Sequence, residues 1–206
     1  MNERGSAMLE AEATAEMFLI PGPSKTAIPA EPSSSPEALL VKAVLAGNRD
    51  SFGRLYELYA PMVHGILLAR VPRTEVEDLV QDIFLHAFKK LTTLRDANAF
   101  GGWLAMITRN RAMDFHRSSK PTVEVREEHA TGDRRKRAKA EEILTVIRSL
   151  PDAYRETLVL RLVEGMTGPE IAMRTGLTAA SVRVNLHRGM KLLREKLGIQ
   201  VAEPQS

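Results

Sequence analysis

The chain has 206 residues, 44% hydrophobic and 27% charged, and 29 Lys and Arg stand against 26 Asp and Glu for a formal net charge of +3. This composition is typical of a globular protein with room for two small domains. Because the chain has no cysteine, disulfides, thiolate catalysis and cysteine-ligated zinc are excluded. No apolar run approaches the roughly 20 residues that cross a bilayer, and the start lacks the basic segment of a signal peptide. We therefore expect a cytoplasmic protein without membrane insertion.

Composition divides the chain into helical segments and polar connections. Residues 1–36 are rich in Pro, Ser, Ala and Glu and lack an apolar period, which predicts a disordered tail. Helical periodicity covers 37–117 and 140–198, whereas period-two alternation is absent. The polar and highly charged stretch 118–139 predicts a flexible linker, and 199–206 is expected to form a carboxyl-terminal tail. The sequence thus predicts an all-α protein of two small helical domains.

The strongest amphipathic helix of the first domain is predicted over 74–91. Its core stripe has the i, i+3, i+4, i+7 spacing of a buried helix face: Val76, Leu79, Val80, Ile83, Phe84, Ala87, Phe88 and Leu91. Neighbouring core stripes are Phe52, Leu55, Tyr56, Tyr59, Val63, Ile66 and Leu67 before it, and Phe100, Trp103, Leu104 and Ile107 after it. The opposite face carries Asp78, Gln81, Asp82 and Leu85. A leucine among these polar groups indicates a partner surface, or else a solvated face with one stray leucine.

The next helix, predicted over 99–117, presents basic and amide groups away from its core. That face holds Arg109, Asn110, Met113 and Arg117. Arginine neutralises phosphates and asparagine can both donate and accept a hydrogen bond, so the face suits a nucleic-acid backbone and one base edge. An ordinary polar helix face explains the same residues equally well.

The second domain carries a helix-turn-helix pattern. Thr167 and Glu170 have the spacing of a capping box, Gly176 permits a turn, and Thr178 can cap a second helix over 179–197. The residues expected to bury that helix are Val182, Leu186, Leu193 and Leu197. Its outer face is left with Arg183, Val184, His187, Arg188 and Lys191. Because five Lys or Arg stand against one Glu over 179–197, the pattern predicts contact with DNA; the alternative is a helical hairpin with a solvated basic face.

Two sequence blocks, in this order and with a variable linker between them, resemble extracytoplasmic-function (ECF) sigma factors of the sigma-70 family. The first block comprises 77–84, 100–110, Asp114 and Arg117, and it is similar to sigma region 2. The second block comprises 150–158, 170–172, 181–183 and Arg188, and it is similar to sigma region 4. The resemblance spans roughly residues 37–197.

This resemblance implies a non-enzymatic factor that binds core RNA polymerase and directs transcription initiation at promoters. The implied contact with the clamp helices of the largest polymerase subunit falls on Asp78, Gln81, Asp82 and Leu85. The family captures an unstacked base of the −10 element in the loop after this helix, here 92–99. The implied −10 residues are Asn98, Arg109, Asn110, Met113 and Arg117. The implied −35 residues are Arg183, Val184, His187, Arg188 and Lys191. An anti-sigma factor is a further implied partner, and we expect no cofactor and no metal.

Three other classes of protein explain less of the sequence. A plain helix-turn-helix regulator leaves 77–84 and 100–110 without a role. An interaction protein that mimics a sigma factor and sequesters its inhibitor generally carries a receiver domain, for which this chain has no room. An enzyme has the least support, because the acidic and histidine residues are scattered over amphipathic helices and no glycine-rich phosphate loop follows a strand.

Overall fold

The computed structural model describes residues 35–118 and 134–199, and within these ranges it contains eight α-helices, two short 3-10 helices and no strand. The first domain consists of α1 (Pro36–Leu45), α2 (Arg49–Leu68), α3 (Arg73–Lys90) and α4 (Phe100–Ser118). The second consists of α5 (Arg134–Arg148), α6 (Asp152–Leu162), α7 (Gly168–Thr175) and α8 (Ala179–Lys196). The all-α prediction is confirmed. No helix in the described ranges is long and apolar enough to cross a membrane.

The predicted tails and most of the predicted linker lie outside the described residues. At the amino end α1 begins directly after Ser35, whose hydroxyl caps the helix by accepting from the Ala38 N–H at 3.1 Å. After the gap, α5 begins at Arg134, inside the 118–139 stretch that the sequence assigned to the linker. The helical part of the chain therefore reaches further into this stretch than its polar composition indicated.

The first domain is built around α2, whose buried face meets α1, α3 and α4. Leu55, Met62 and Ile66 are fully buried there, and the core stripe of α3 packs against them as predicted for most of its members. Two expectations were wrong, because Phe88 is 45% exposed and Tyr56 is 38% exposed. The rings of these residues contact Phe52 and Phe84 at centroid distances of 4.8 and 4.5 Å, at the outer edge of the α2–α3 seam instead of inside it.

The helix-turn-helix of the second domain is confirmed. The Thr167 N–H donates to the Glu170 carboxylate at 2.7 Å and the Glu170 N–H donates to Thr167 Oγ1, which completes the capping box of α7. Gly176 ends that helix with a φ of 73°, in the left-handed region that favours glycine. Thr178 then caps α8 by accepting from the Ser181 N–H at 3.1 Å. These local signals fix the direction in which α8 leaves the turn.

The two domains pack against each other, which the sequence did not predict. Helices α6 and α7 lie on α2 and α4, and one continuous hydrophobic core includes residues of both domains. The approach is close at two glycines. A Cβ at Gly65 would lie 2.7 Å from Leu160 Cδ2, and a Cβ at Gly101 would lie 2.5 Å from the Arg174 carbonyl oxygen. Residues 35–118 and residues 134–199 thus pack together as one body.

Candidate functional site

The outer face of α3 is exposed as the sequence predicted. Asp78, Gln81, Asp82 and Leu85 all face solvent, while the intervening apolar residues are buried. Leu85 is 59% exposed, so an apolar side chain stands among polar groups. Asp82 Oδ2 accepts from Arg111 Nη2 of α4 at 3.0 Å, and both side chains are about half exposed. Since a surface ion pair of this kind contributes about 1 kcal/mol or less, either partner can be exchanged for another group at small cost.

A groove runs between α3 and α4. It is lined by Leu85 and His86 on one side and by Ile107, Asn110 and Arg111 on the other. The exposed leucine of the α3 face and the amide of Asn110 therefore line the same depression. The implied docking face and one implied −10 residue lie side by side in the first domain.

The loop between α3 and α4 contains the two 3-10 helices Leu91–Thr93 and Ala97–Ala99. Asn98 is exposed within it, and its Oδ1 accepts from the Ser35 N–H at 3.1 Å while its amide donates to Asp96 Oδ1 at 3.3 Å. The amino end of α1 thus orients Asn98. On α4, Asn110 and Met113 are exposed. Arg117 is also exposed and forms an ion pair with Asp114 at 3.2 Å.

Arg109 does not share this outer face, which corrects the sequence interpretation. Its guanidinium forms two hydrogen bonds to Glu156 of α6, Nη2 to Oε1 at 2.7 Å and Nε to Oε2 at 3.1 Å. Glu156 Oε2 also lies 2.8 Å from Nη2 of Arg70, in the turn that follows α2. The physical reason is that the second domain covers this side of α4, and helical periodicity within α4 carries no information about that cover.

The outer face of α8 is exposed over its basic residues. Arg183, Val184, His187, Arg188 and Lys191 all face solvent, whereas Val182, Gly189 and Leu193 are buried. A Cβ at Gly189 would lie 3.1 Å from Leu158 and 3.2 Å from Tyr154, so α8 packs closely on α6. That close packing holds the basic face at a fixed orientation on a rigid support.

Four groups in the described residues have a shifted pKa, and one of them is Arg155, whose pKa is lowered by burial and by the nearby charge of Arg70. Nδ1–H of His64 in α2 donates to the Glu164 carboxylate at 2.6 Å, and this hydrogen bond raises the pKa of His64 above 6.5. Partial burial and the charge of Arg73 oppose the shift, and the charges of Glu164 and Glu77 add to it. Burial raises the pKa of Tyr59 to about 12. The hydrogen bonds from Thr167 lower the pKa of the Glu170 carboxyl. Within 35–118 and 134–199, no three His, Asp or Glu side chains are grouped as metal ligands are.

Sequence reasoning missed the residues that join the two domains, namely Arg70, Arg148 and Glu156. Arg148 of α5 donates from Nε to the Leu68 carbonyl and from Nη2 to the Val71 carbonyl, each at 3.0 Å. The structure shows the extent of this contact in α6, where Glu156 begins a run of five buried residues that extends to Leu160. A helix buried over five successive positions needs neighbours on every side, more than one small domain supplies.

A helical domain with an exposed leucine among polar groups, followed by a helix-turn-helix with a basic outer face, is typical of a two-domain DNA-binding protein. The family model Sigma-70 region 2 matches residues 55–122, and the model Sigma-70, region 4 matches residues 140–193. The chain belongs to the sigma-70 family, as an RNA polymerase sigma factor of the ECF type. Its function is that of a sigma factor in promoter-specific transcription initiation.

Individual relatives agree with this family. RNA polymerase sigma factor CarQ of Myxococcus xanthus is 32% identical over 161 residues, which cover 74% of this chain and 92% of CarQ. ECF RNA polymerase sigma factor BldN of Streptomyces coelicolor is 29% identical over 182 residues, 80% of this chain and 67% of BldN. The solved structure of CnrH in complex with the cytosolic domain of CnrY is similar in fold, with a TM-score of 0.58 at 24% identity over 80% of this chain and 99% of CnrH.

Proposed function

We propose that three surfaces of this sigma factor divide the work of initiation. The outer face of α3 binds the clamp helices of the largest polymerase subunit, the loop before α4 and the outer face of α4 open the −10 element, and α8 reads the −35 element. The observation that carries this proposal is that Leu85, 59% exposed, and Asn110 line one groove beside the polar face of α3. A protein partner and an opened DNA strand can thus be held next to each other.

Docking on polymerase uses the contrast between one apolar and three polar side chains on α3. Burial of the Leu85 side chain against a partner contributes favourable binding free energy. Around it, Asp78, Gln81 and Asp82 supply charge and hydrogen bonds. The Asp82–Arg111 ion pair is exposed enough to rearrange when a partner arrives. We therefore assign these four residues to the polymerase interface.

Promoter opening costs a few kcal/mol for each base step that is unstacked. The chain offsets this cost if it binds a base and the strand only after they leave the duplex. Exposed Asn98 and Asn110 offer amides for a base edge, and exposed Met113 offers an apolar surface. Arg117 and Arg109 are assigned to phosphates of the opened strand, the latter only once Glu156 has moved away.

Reading of the −35 element is assigned to the basic face of α8. Arg183 and His187 lie one helical turn apart and can reach neighbouring base pairs in a major groove. Val184, which is 43% exposed, suits contact with a thymine methyl group. Arg188 and Lys191 suit phosphates on the groove edge.

The remaining assignments follow from the partner. The polymerase performs RNA synthesis, so we assign the chain no catalytic role and place its action in the cytoplasm, where polymerase and chromosome meet. An anti-sigma factor is proposed as its inhibitor because the family resemblance implies one.

The docking assignment is tested by measuring holoenzyme assembly with purified core polymerase. The variant Asp78→Arg with Gln81→Ala is expected to abolish assembly while its helicity and thermal unfolding match those of the unmodified chain, because both positions are exposed. Glu142→Arg, at an acidic position of α5 that is also exposed, is the matched control and should assemble normally. Retained assembly of the double variant would show that this face does not bind polymerase.

A further inference from the structure

We propose that Arg70 and Arg109 form an anion site that takes a phosphate of promoter DNA when the two domains separate, and that Glu156 fills this site in the closed chain. The inference rests on the proposed function, because it requires α4 to meet −10 DNA. It adds Arg70, in the turn after α2, to the DNA-contacting residues and gives Glu156 the role of an internal competitor of DNA.

The site consists of two guanidinium groups from the first domain around one carboxylate from the second. Arg109 contacts both Glu156 oxygens, at 2.7 and 3.1 Å, and Arg70 contacts Oε2 at 2.8 Å. The side chains of Glu156 and Arg70 are 5% and 12% exposed, and that of Arg109 is 29% exposed. A planar guanidinium binds carboxylate and phosphate oxygens with the same paired geometry. The Glu156 carboxylate therefore occupies the position that a phosphate would take.

Separation of the domains leaves the two arginines together and without their anion. Arg70 and Arg109 both belong to the first domain, and Arg70 Nη1 also donates to the Ile66 carbonyl in the last turn of α2 at 3.3 Å. Two cations that share one anion repel each other once that anion leaves. The opened first domain thus presents a pair of positive charges that a polyanion can neutralise.

Geometry requires the domains to separate on a promoter. The −10 and −35 elements are about 25 base pairs apart, which is about 85 Å of straight DNA at about 3.4 Å per base pair. A compact body formed by residues 35–118 and 134–199 has a radius of gyration of about 15 Å and a diameter of about 40 Å. The closed chain cannot contact both elements at once, so simultaneous binding removes Glu156 from the arginines.

The closed form affects the two DNA surfaces differently. The basic face of α8 stays exposed, whereas Arg70 and Arg109 are covered by α6. In the closed form Gly101 of α4 lies so near α7 that a Cβ would come within 2.5 Å of the Arg174 carbonyl oxygen. The free chain is therefore restrained in binding an opened strand while its −35 face remains accessible.

The first test is binding of the full chain to a fluorescent mixed-sequence single-stranded oligonucleotide, measured by anisotropy at several salt concentrations. Glu156→Gln keeps the shape of the side chain but removes its charge, and it should bind more tightly than the unmodified chain. Two released cations should steepen the slope of log K against log salt by about 1.4, since each contributes about 0.7 with single strands. The double variant Glu156→Gln, Arg70→Ala should show only about half of that change in slope. Glu142→Gln, an exposed loss of the same charge, is the control and should leave the slope unchanged.

The second test opens the chain without altering any charged residue. A Cβ at Gly101 would lie 2.5 Å from the Arg174 carbonyl oxygen and 3.1 Å from the Tyr59 ring, whereas a Cβ at Gly102 meets nothing closer than 3.5 Å. Gly101→Ala should therefore push α4 and α7 apart and bind the oligonucleotide as Glu156→Gln does. Gly102→Ala, the adjacent change of the same kind in the same helix, should bind as the unmodified chain does.

The proposal is overturned if Gly101→Ala and Glu156→Gln both keep the affinity and salt slope of the unmodified chain. It is also overturned if their tighter binding is unaffected by Arg70→Ala. If circular dichroism shows that Glu156→Gln does not fold, the result with Gly101→Ala decides alone. These outcomes can be told apart from failure of the proposed function, which shows itself when the Asp78→Arg, Gln81→Ala variant still assembles with polymerase.

Discussion

Truncation of Leu85 tests the docking surface with a magnitude that the structure supplies. Complete burial of a leucine side chain stabilises by about 1.5–3 kcal/mol. Because Leu85 is 59% exposed in the free chain, an interface that covers it gains about 0.9–1.8 kcal/mol of binding free energy from this side chain. Leu85→Ala should therefore weaken binding to core polymerase by about 5- to 20-fold. Its free energy of unfolding should change by no more than about 0.5 kcal/mol, as at other surface positions.

The assay is an anisotropy titration of labelled chain with core polymerase, alongside urea unfolding of each variant. Leu162→Ala is the matched control, since Leu162 is 47% exposed at the end of α6 in the other domain. It should change neither the Kd nor the unfolding midpoint. An unchanged Kd for Leu85→Ala would refute the reasoning, and so would an equal loss of affinity in the Leu162 variant.

Three further predictions concern DNA and pH. Asn110→Ala should leave −35 duplex binding intact but lower the permanganate reactivity of −10 thymines, because it removes a group assigned to the opened strand. Arg183→Ala should reduce the binding free energy for −35 DNA by about 1–3 kcal/mol and relax the base preference at one position. Lys191→Ala should instead weaken binding to all DNA sequences alike and reduce the slope of log K against log salt by about one unit. The pKa of His64 is raised in the folded chain, so its hydrogen bond to Glu164 stabilises the fold fully below pH 6.5. This stabilisation is lost as pH rises through the folded-state pKa of His64. The urea unfolding midpoints at about pH 6 and about pH 8.5 should therefore differ more in the unmodified chain than in His64→Gln.

Each of these predictions has an opposing outcome. If the Asn110 variant still opens the −10 element but binds duplex DNA more weakly, the roles assigned to the two domains are wrong. An unchanged −35 preference in the Arg183 variant would move base reading to His187 or Asn185. Equal pH dependence in the unmodified chain and the His64 variant would show that other groups govern the effect.

The helices could be predicted because their signals are local. The α3 stripe, the Thr167–Glu170 capping box and the turn at Gly176 each depend on residues within a few positions of one another, and all three are present. The exposure of Leu85 also followed from periodicity, since its position lies opposite the buried stripe. Local hydrogen bonding and one-sided burial are therefore enough to specify these elements.

The packing of one domain on the other could not be predicted, because it depends on residues far apart in the sequence. Arg109 and Glu156 are 47 positions apart, and nothing near either residue indicates the pairing. Gly65 and Gly101 have the same difficulty, because a small side chain inside a helix indicates close approach without naming the partner. The edge position of Phe88 was missed for a related reason, since periodicity gives the direction of a side chain but not the extent of the neighbour that covers it.

The most direct test of the account is run-off transcription by core polymerase with and without the purified chain, on genomic promoter fragments that include the region upstream of its own gene. The account predicts discrete transcripts that require the chain and that disappear with the Asp78→Arg and Gln81→Ala variant. The same fragments should show opened −10 thymines only when chain and polymerase are both present. Transcripts that do not depend on the chain, or none from any fragment under conditions in which holoenzyme assembles, would contradict the account.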